Sequence, residues 1–103
     1  MAGIRGGSYK VNKEGYIYVL INPVMDRLVK IGKTTRDPAE RINELSSATG
    51  VPAPFILVYK EYFSDCDRAE QVIHSLLEDM GYRLTENREF FYVPVHEAIK
   101  IIQ

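Results

Sequence analysis

Glu70 and His74 are the first pair in this chain whose types and spacing can do chemistry, because they lie four apart within a helical pattern. Ala69, Val72, Ile73, Leu76, Leu77 and Met80 recur at helical intervals and form one apolar stripe. At about 100° per residue, Glu70 falls about a quarter turn from a stripe centre near Ile73 and Met80, and His74 slightly further. The two therefore share a face on the border between core and water. A carboxylate there is partly desolvated yet reachable, as a magnesium ligand must be. The alternative is an ordinary surface Glu beside a border His. Arg41, further up the chain, can grip a phosphate through two parallel hydrogen bonds. It can equally pair with Glu40 or Glu44 in solvent, worth under about 1 kcal/mol. Lys30, Lys33, Arg36 and Arg41 cluster in sequence, either as a phosphate-facing patch or as a solvated edge.

The elements that must position these groups follow from pattern. Gly15 to Ile21 is aromatic and mostly β-branched, the composition of a strand, and apolar on both faces, as in a strand covered on both sides. Asn22-Pro23 opens a turn, and Leu28 to Gly32 returns as a second strand, with Gly32 where the backbone approaches another group closely. Asp37-Pro38-Ala39-Glu40 is a helix start: Asp37 caps, Pro38 fits the first turn, and Glu40 completes a capping box. Ile42 and Leu45 point inward, and Gly50 and Pro52 stop that helix. Phe55 to Tyr59 is a third strand, running on towards Tyr62. The long helix spans Ser64 to Met80, with Ser64 and Asp67 as caps and Gly81 as its stop. Phe90 to Val93 is a short extended segment, and Pro94 starts a last helix whose Val95, Ala98, Ile99 and Ile102 pack inward. The predicted class is α+β: a small, mainly antiparallel three-stranded sheet flanked by helices, β-β-α-β-α, then a terminal extended segment and helix.

Composition bounds the function. A chain of 103 residues, 46% hydrophobic and 26% charged, is one globular domain with one core. It divides into a flexible leader over 1–14 and the domain proper over 15–103. No run reaches the roughly 18 apolar residues of a membrane helix. The first residues lack the apolar stretch of a signal peptide. The single cysteine, Cys66, excludes a disulfide framework and a four-thiolate zinc site. These features point to the cytoplasm. The net charge of −1 gives no overall basic footprint for nucleic acid. It is unevenly spread, however. Residues 1–50 carry eight Lys/Arg against five Asp/Glu, and residues 51–103 five against nine.

One combination is more specific. Tyr16-Ile17-Tyr18, a short connection, Lys30-Ile31-Gly32-Lys33-Thr34, an Arg nine residues past that Gly, a later helix bearing Glu70 and a closing Glu89-Phe90-Phe91 resemble the GIY-YIG nucleases, in their small phage-type and bacterial branch. The resemblance covers about Gly15 to Val93. It implies a metal-dependent endonuclease that hydrolyses phosphodiester bonds, with DNA as the expected substrate. By that resemblance Tyr18 contacts the attacking water, Arg41 binds the phosphate, Glu70 holds one Mg²⁺ or Mn²⁺, and His74 assists. Tyr16 fills the Gly position of the first motif and Lys30 that of a second tyrosine. Lys33, Thr34 and Arg36 are the expected nucleic-acid contacts. Asn87 or Glu89 stands where the family carries an Asn. If Tyr18 pairs with Lys30 across the hairpin, or the register shifts by an even step, the two share a face. The ammonium can then make the phenol more acidic, or Lys30 can itself act as base. Two other readings remain: a non-catalytic nucleic-acid-binding module on the same scaffold, and a protein-interaction domain using Tyr9, Tyr16, Tyr62 and Tyr82. These residues include no separate targeting domain, so any sequence preference is expected to come from a partner protein, a dimer or an extension beyond this sequence.

Overall fold

A computed structural model describes residues 13–47, 53–83 and 89–103. Tyr9, Asn87, the Gly50 and Pro52 stop signals and the leader up to residue 12 lie outside the described residues. Seven elements follow in order: β1 (Gly15–Ile21), β2 (Leu28–Thr34), α1 (Pro38–Ser46), β3 (Ile56–Phe63), α2 (Cys66–Asp79), β4 (Phe90–Tyr92) and α3 (Val95–Ile102). The α+β class is as expected, with one addition. The terminal extended segment joins the sheet as a fourth strand, giving the antiparallel order β3-β1-β2-β4.

The connection between β1 and β2 sets the register of the hairpin. Asn22 is buried, and its side chain accepts from Val24 N at 3.1 Å and donates to the Ala53 carbonyl at 2.7 Å. That side-chain turn and a left-handed Arg27 (φ 68°) bring the chain back so that Tyr18 opposes Gly32 and Leu20 opposes Lys30. The direct Tyr18–Lys30 pairing is therefore not formed. The shift is two residues, an even step, so the two side chains still stand on the same face.

The two faces are covered unequally. Ile17, Val19, Val29, Ile31 and Phe91 meet Cys66, Ile73 and Leu77 of α2 and Ala98 and Ile102 of α3 in the main core. On the other face Tyr18, Leu20 and Phe55 form a smaller cluster with Ile42, Leu45 and Phe90 packed against it. Alternate residues of β1 serve both clusters, which is why its sequence is apolar throughout. Helix α1 begins as expected, with the Asp37 carboxylate accepting from Ala39 N at 3.0 Å, but buries only Pro38 completely. A thin roof over Tyr18's face leaves room for a site.

Helix α2 differs from expectation in cap and rotation. Asp65, rather than Ser64 or Asp67, accepts from Arg68 N at 3.0 Å. Its buried residues are Cys66, Ile73 and Leu77, while Val72, Leu76 and Met80 are exposed. The inward direction is thus rotated by about 40° towards Glu70, as 100° per residue requires. The cause is at the start of the helix, where Cys66 is clamped: its backbone N donates to the Lys13 carbonyl at 2.8 Å, and a Cβ on Gly15 would strike its Sγ at 2.9 Å. Among the described residues no helix is long and apolar enough to cross a membrane.

Candidate nucleic-acid site

The site is built over Gly32. A Cβ there would stand 2.6 Å from Tyr18 Oη, 2.8 Å from Tyr18 Cζ and 2.9 Å from Glu89 Oε1. Hydrogen at this position is therefore what allows a phenol and a carboxylate to meet over one strand. Tyr18 is 1% exposed. Burial pushes its pKa up first, and the Glu89 and Glu70 charges add to that; a hydrogen bond from Arg41 and the Arg41 charge oppose it. The same hydrogen bond raises Arg41, outweighing partial desolvation. Tyr18, Arg41, Glu70 and Glu89 thus sense one another, and they come from β1, α1, α2 and the start of β4.

The expected help from Lys30 is absent. Its ammonium is bound to Glu89 Oε1 at 2.6 Å and lies 5.1 Å from the centroid of the Phe90 ring. Lys30 shares Tyr18's face, yet its charge is spent on a carboxylate, and the phenol is made less acidic, not more. Glu89 is the residue the sequence reading undervalued. Its placement follows from pairing of β4 with β2, where Ile31 N donates to the Glu89 carbonyl at 2.9 Å. The Glu89-Phe90-Phe91 run was the available signal.

The remaining candidates are only partly assembled. Glu70 faces the site with a side chain 16% exposed and lies 3.7 Å from Lys33 Nζ. Lys33 bonds more tightly to Asp67, at 2.7 Å, which is the main reason its pKa is raised. Arg36 is held by Glu44 at 2.7 Å and Glu40 at 3.4 Å. Arg41 also reaches Glu44 at 3.3 Å. Thr34 is buried, and its Oγ1 accepts from Arg36 N at 3.1 Å, which orders the loop. His74 donates from Nε2 to the Ile31 carbonyl at 2.9 Å and tilts against Phe91 at 5.1 Å, bracing α2 to the sheet. Tyr16 packs edge-on with Tyr62.

Lys33, Thr34, Thr35, Arg36 and Arg41 line an open cleft of about 270 Å³ with one acidic wall, Asp67. It can seat an anion beside the Tyr18–Arg41 contact. Among the described residues no group of three or more His, Cys, Asp or Glu is placed to hold a metal ion. A magnesium ion needs less, since it commonly binds through one or two carboxylates, waters and a substrate phosphate. Glu70 meets that smaller requirement.

An α+β domain with an arginine-lined anion cleft against a buried phenol and acidic residues has the character of a nucleic-acid-handling module. The chain belongs to the T5orf172 domain family, whose model matches residues 15–103. That family is associated with nuclease and DNA-binding functions. It is a different family from GIY-YIG, so the assignment drawn from the hairpin motifs, Arg41, the Glu70 helix and Glu89-Phe90-Phe91 is overturned, and roles carried over from that resemblance lose that support. No curated protein and no solved structure matches the chain.

Proposed function

We propose that the domain is a metal-dependent endonuclease hydrolysing nucleic-acid phosphodiester bonds, with DNA as the preferred substrate. The observation that supports it best is the close approach of Tyr18 and Glu89 over Gly32, with the charges of Arg41 and Glu70 acting on the phenol. Arg41 binds the scissile phosphate and stabilises charge growing on its oxygens. Tyr18, kept a neutral phenol by burial, orients Arg41 and the attacking water. The water oxygen bonds to phosphorus as the bond to the leaving sugar oxygen breaks, and the proton the water loses is carried to that oxygen by solvent. Glu70 would hold the Mg²⁺ or Mn²⁺, which supplies charge neutralisation at the leaving oxygen.

The test compares cleavage of plasmid, single-stranded and branched DNA, and of RNA, with Mg²⁺, with Mn²⁺ and with EDTA. Glu70→Ala should abolish metal-dependent cleavage and weaken Mn²⁺ binding measured calorimetrically, with the thermal melt unchanged. Arg41→Ala should cost about 10²–10³ in rate, as loss of one charge-stabilising donor does. Glu70→Ala cutting like the parent would remove the metal assignment. A second reading, binding without cleavage, is favoured by the 1% exposure of Tyr18. It predicts Arg41-dependent DNA binding with no product under any metal.

A further inference from the structure

Beside the anion cleft lies a second one of different chemistry, about 400 Å³, lined by Tyr16, Tyr62, Lys60, Arg36, Asp37 and Glu14 among others. Thr35 and Arg36 line both, so the two are contiguous. Its floor is the cross-strand pair Tyr16–Tyr62, ring centroids 5.9 Å apart at 74°. Lys60 Nζ lies 5.5 Å from the Tyr16 centroid. Tyr62 is 54% exposed. Its hydroxyl donates to Glu14 at 2.6 Å, which fixes the ring instead of leaving it to rotate.

We infer that this cleft holds an unpaired nucleobase, stacked on Tyr62, of the strand whose adjacent phosphate lies in the Arg36–Arg41 cleft. The inference rests on the reading of that neighbouring cleft as a nucleic-acid phosphate site. A phosphate does not suit the second cleft, since the carboxylates of Glu14 and Asp37 offset the charges of Lys60 and Arg36. A nucleobase does suit it, because its edge carries both donors and acceptors and its face stacks on a fixed ring. A base within an intact duplex is already stacked on its neighbours. The site therefore selects single-stranded, frayed or flipped nucleotides over continuous duplex. Stacking tolerates any base, so structure selectivity without sequence selectivity is expected.

The full chain is titrated in EDTA against a labelled single-stranded oligonucleotide, the same sequence as a closed-ended duplex, and an abasic version of the single strand. The parent should bind the single strand more tightly than the other two. Tyr62→Ala should weaken single-strand binding roughly ten- to hundredfold, the worth of one stacked base, and leave abasic binding unchanged. Tyr62→Phe should keep most of the affinity. Because Tyr62 is exposed, the melting curve of Tyr62→Ala serves as the control for folding. Equal parental affinity for single strand and duplex overturns the inference, as does a loss in Tyr62→Ala that is the same with and without bases. Absence of any oligonucleotide binding, as for a ring that seats a protein partner, also overturns it. Binding is read without metal, so a protein that shows the stacking signature but cuts nothing sinks the nuclease reading alone.

Discussion

Lys30 and Glu89 form an ion pair whose halves differ in burial, and that asymmetry predicts an order of stabilities. The Lys30 side chain is 8% exposed and that of Glu89 35%. Glu89→Leu removes the carboxylate and leaves an ammonium in a nearly closed place, with the Phe90 ring 5.1 Å away. Breaking a buried pair by deleting one partner costs about 3–5 kcal/mol. Water reaching the Glu89 side brings the expectation down to about 2–3 kcal/mol. Lys30→Met keeps the aliphatic stem and leaves a carboxylate that water can solvate, so about 1 kcal/mol is expected. The double variant exchanges the pair for packed apolar atoms and should fall within about 1 kcal/mol of the parent, as such exchanges often do. Urea unfolding at neutral pH, read by far-ultraviolet circular dichroism, gives all three values at common slope. The double-mutant cycle should show strong coupling, the double being far milder than the two single losses added. If Lys30→Met is the worse single variant, or the losses simply add, the pair is not a buried, coupled unit.

Two further outcomes follow from the same few atoms. Gly32→Ala places a methyl 2.6 Å from Tyr18 Oη, and since Tyr18 is packed in, overpacking of about 1–3 kcal/mol should exceed the entropic gain of about 0.4–1 kcal/mol. A lower melting temperature is expected, and an unchanged or raised one would refute the close approach. Tyr18 binds its proton more tightly folded than unfolded, so its contribution to stability is complete below about pH 10 and is lost as pH rises through the elevated folded value. Chemical denaturation from pH 8 upward should show that alkaline loss in the parent and less of it in Tyr18→Phe; identical slopes would mean the phenol is not desolvated.

What sequence reasoning captured and missed divides by range of interaction. The ends of β1 and the Asp37-Pro38 start of α1 were legible because strand composition and caps are local signals. The register of β1 on β2 was not, since it depends on Asn22 bonding to Ala53, 31 residues away. Nor was Lys30's partner, 59 residues on. A three-residue strand such as β4 carries almost no pattern of its own, and its pairing with β2 is what delivers Glu89. The rotation of α2 was misjudged because periodicity defines an apolar stripe, while the clamp at Cys66 selects which edge of it faces the sheet. The same rotation exposes Val72 and Leu76 and carries Glu70 inward. The family assignment drawn from the hairpin motifs, Arg41, the Glu70 helix and Glu89-Phe90-Phe91 is overturned by the family-model match over residues 15–103.

The cations expected to face nucleic acid are already engaged, Lys30 by Glu89, Lys33 by Asp67 and Arg36 by Glu44. A phosphate entering the cleft must therefore exchange partners with a carboxylate rather than meet a bare charge. The exposed pairs exchange cheaply, because a solvated ion pair contributes at most about 1 kcal/mol. The buried Lys30–Glu89 pair does not, so it remains a fixed part of the wall while Lys33 and Arg36 are adjustable. Arg41 stands between these cases, near enough to a buried phenol to act on its proton affinity and paired with an exposed carboxylate. Its exposed Glu44 contact can be surrendered to a phosphate. Lys33 bonds Asp67 more tightly than Glu70, at 2.7 Å against 3.7 Å, so its hold on Glu70 is the looser one. A chain with net charge −1 can in this way present positive charge locally, and only where a phosphate displaces the acids that guard it.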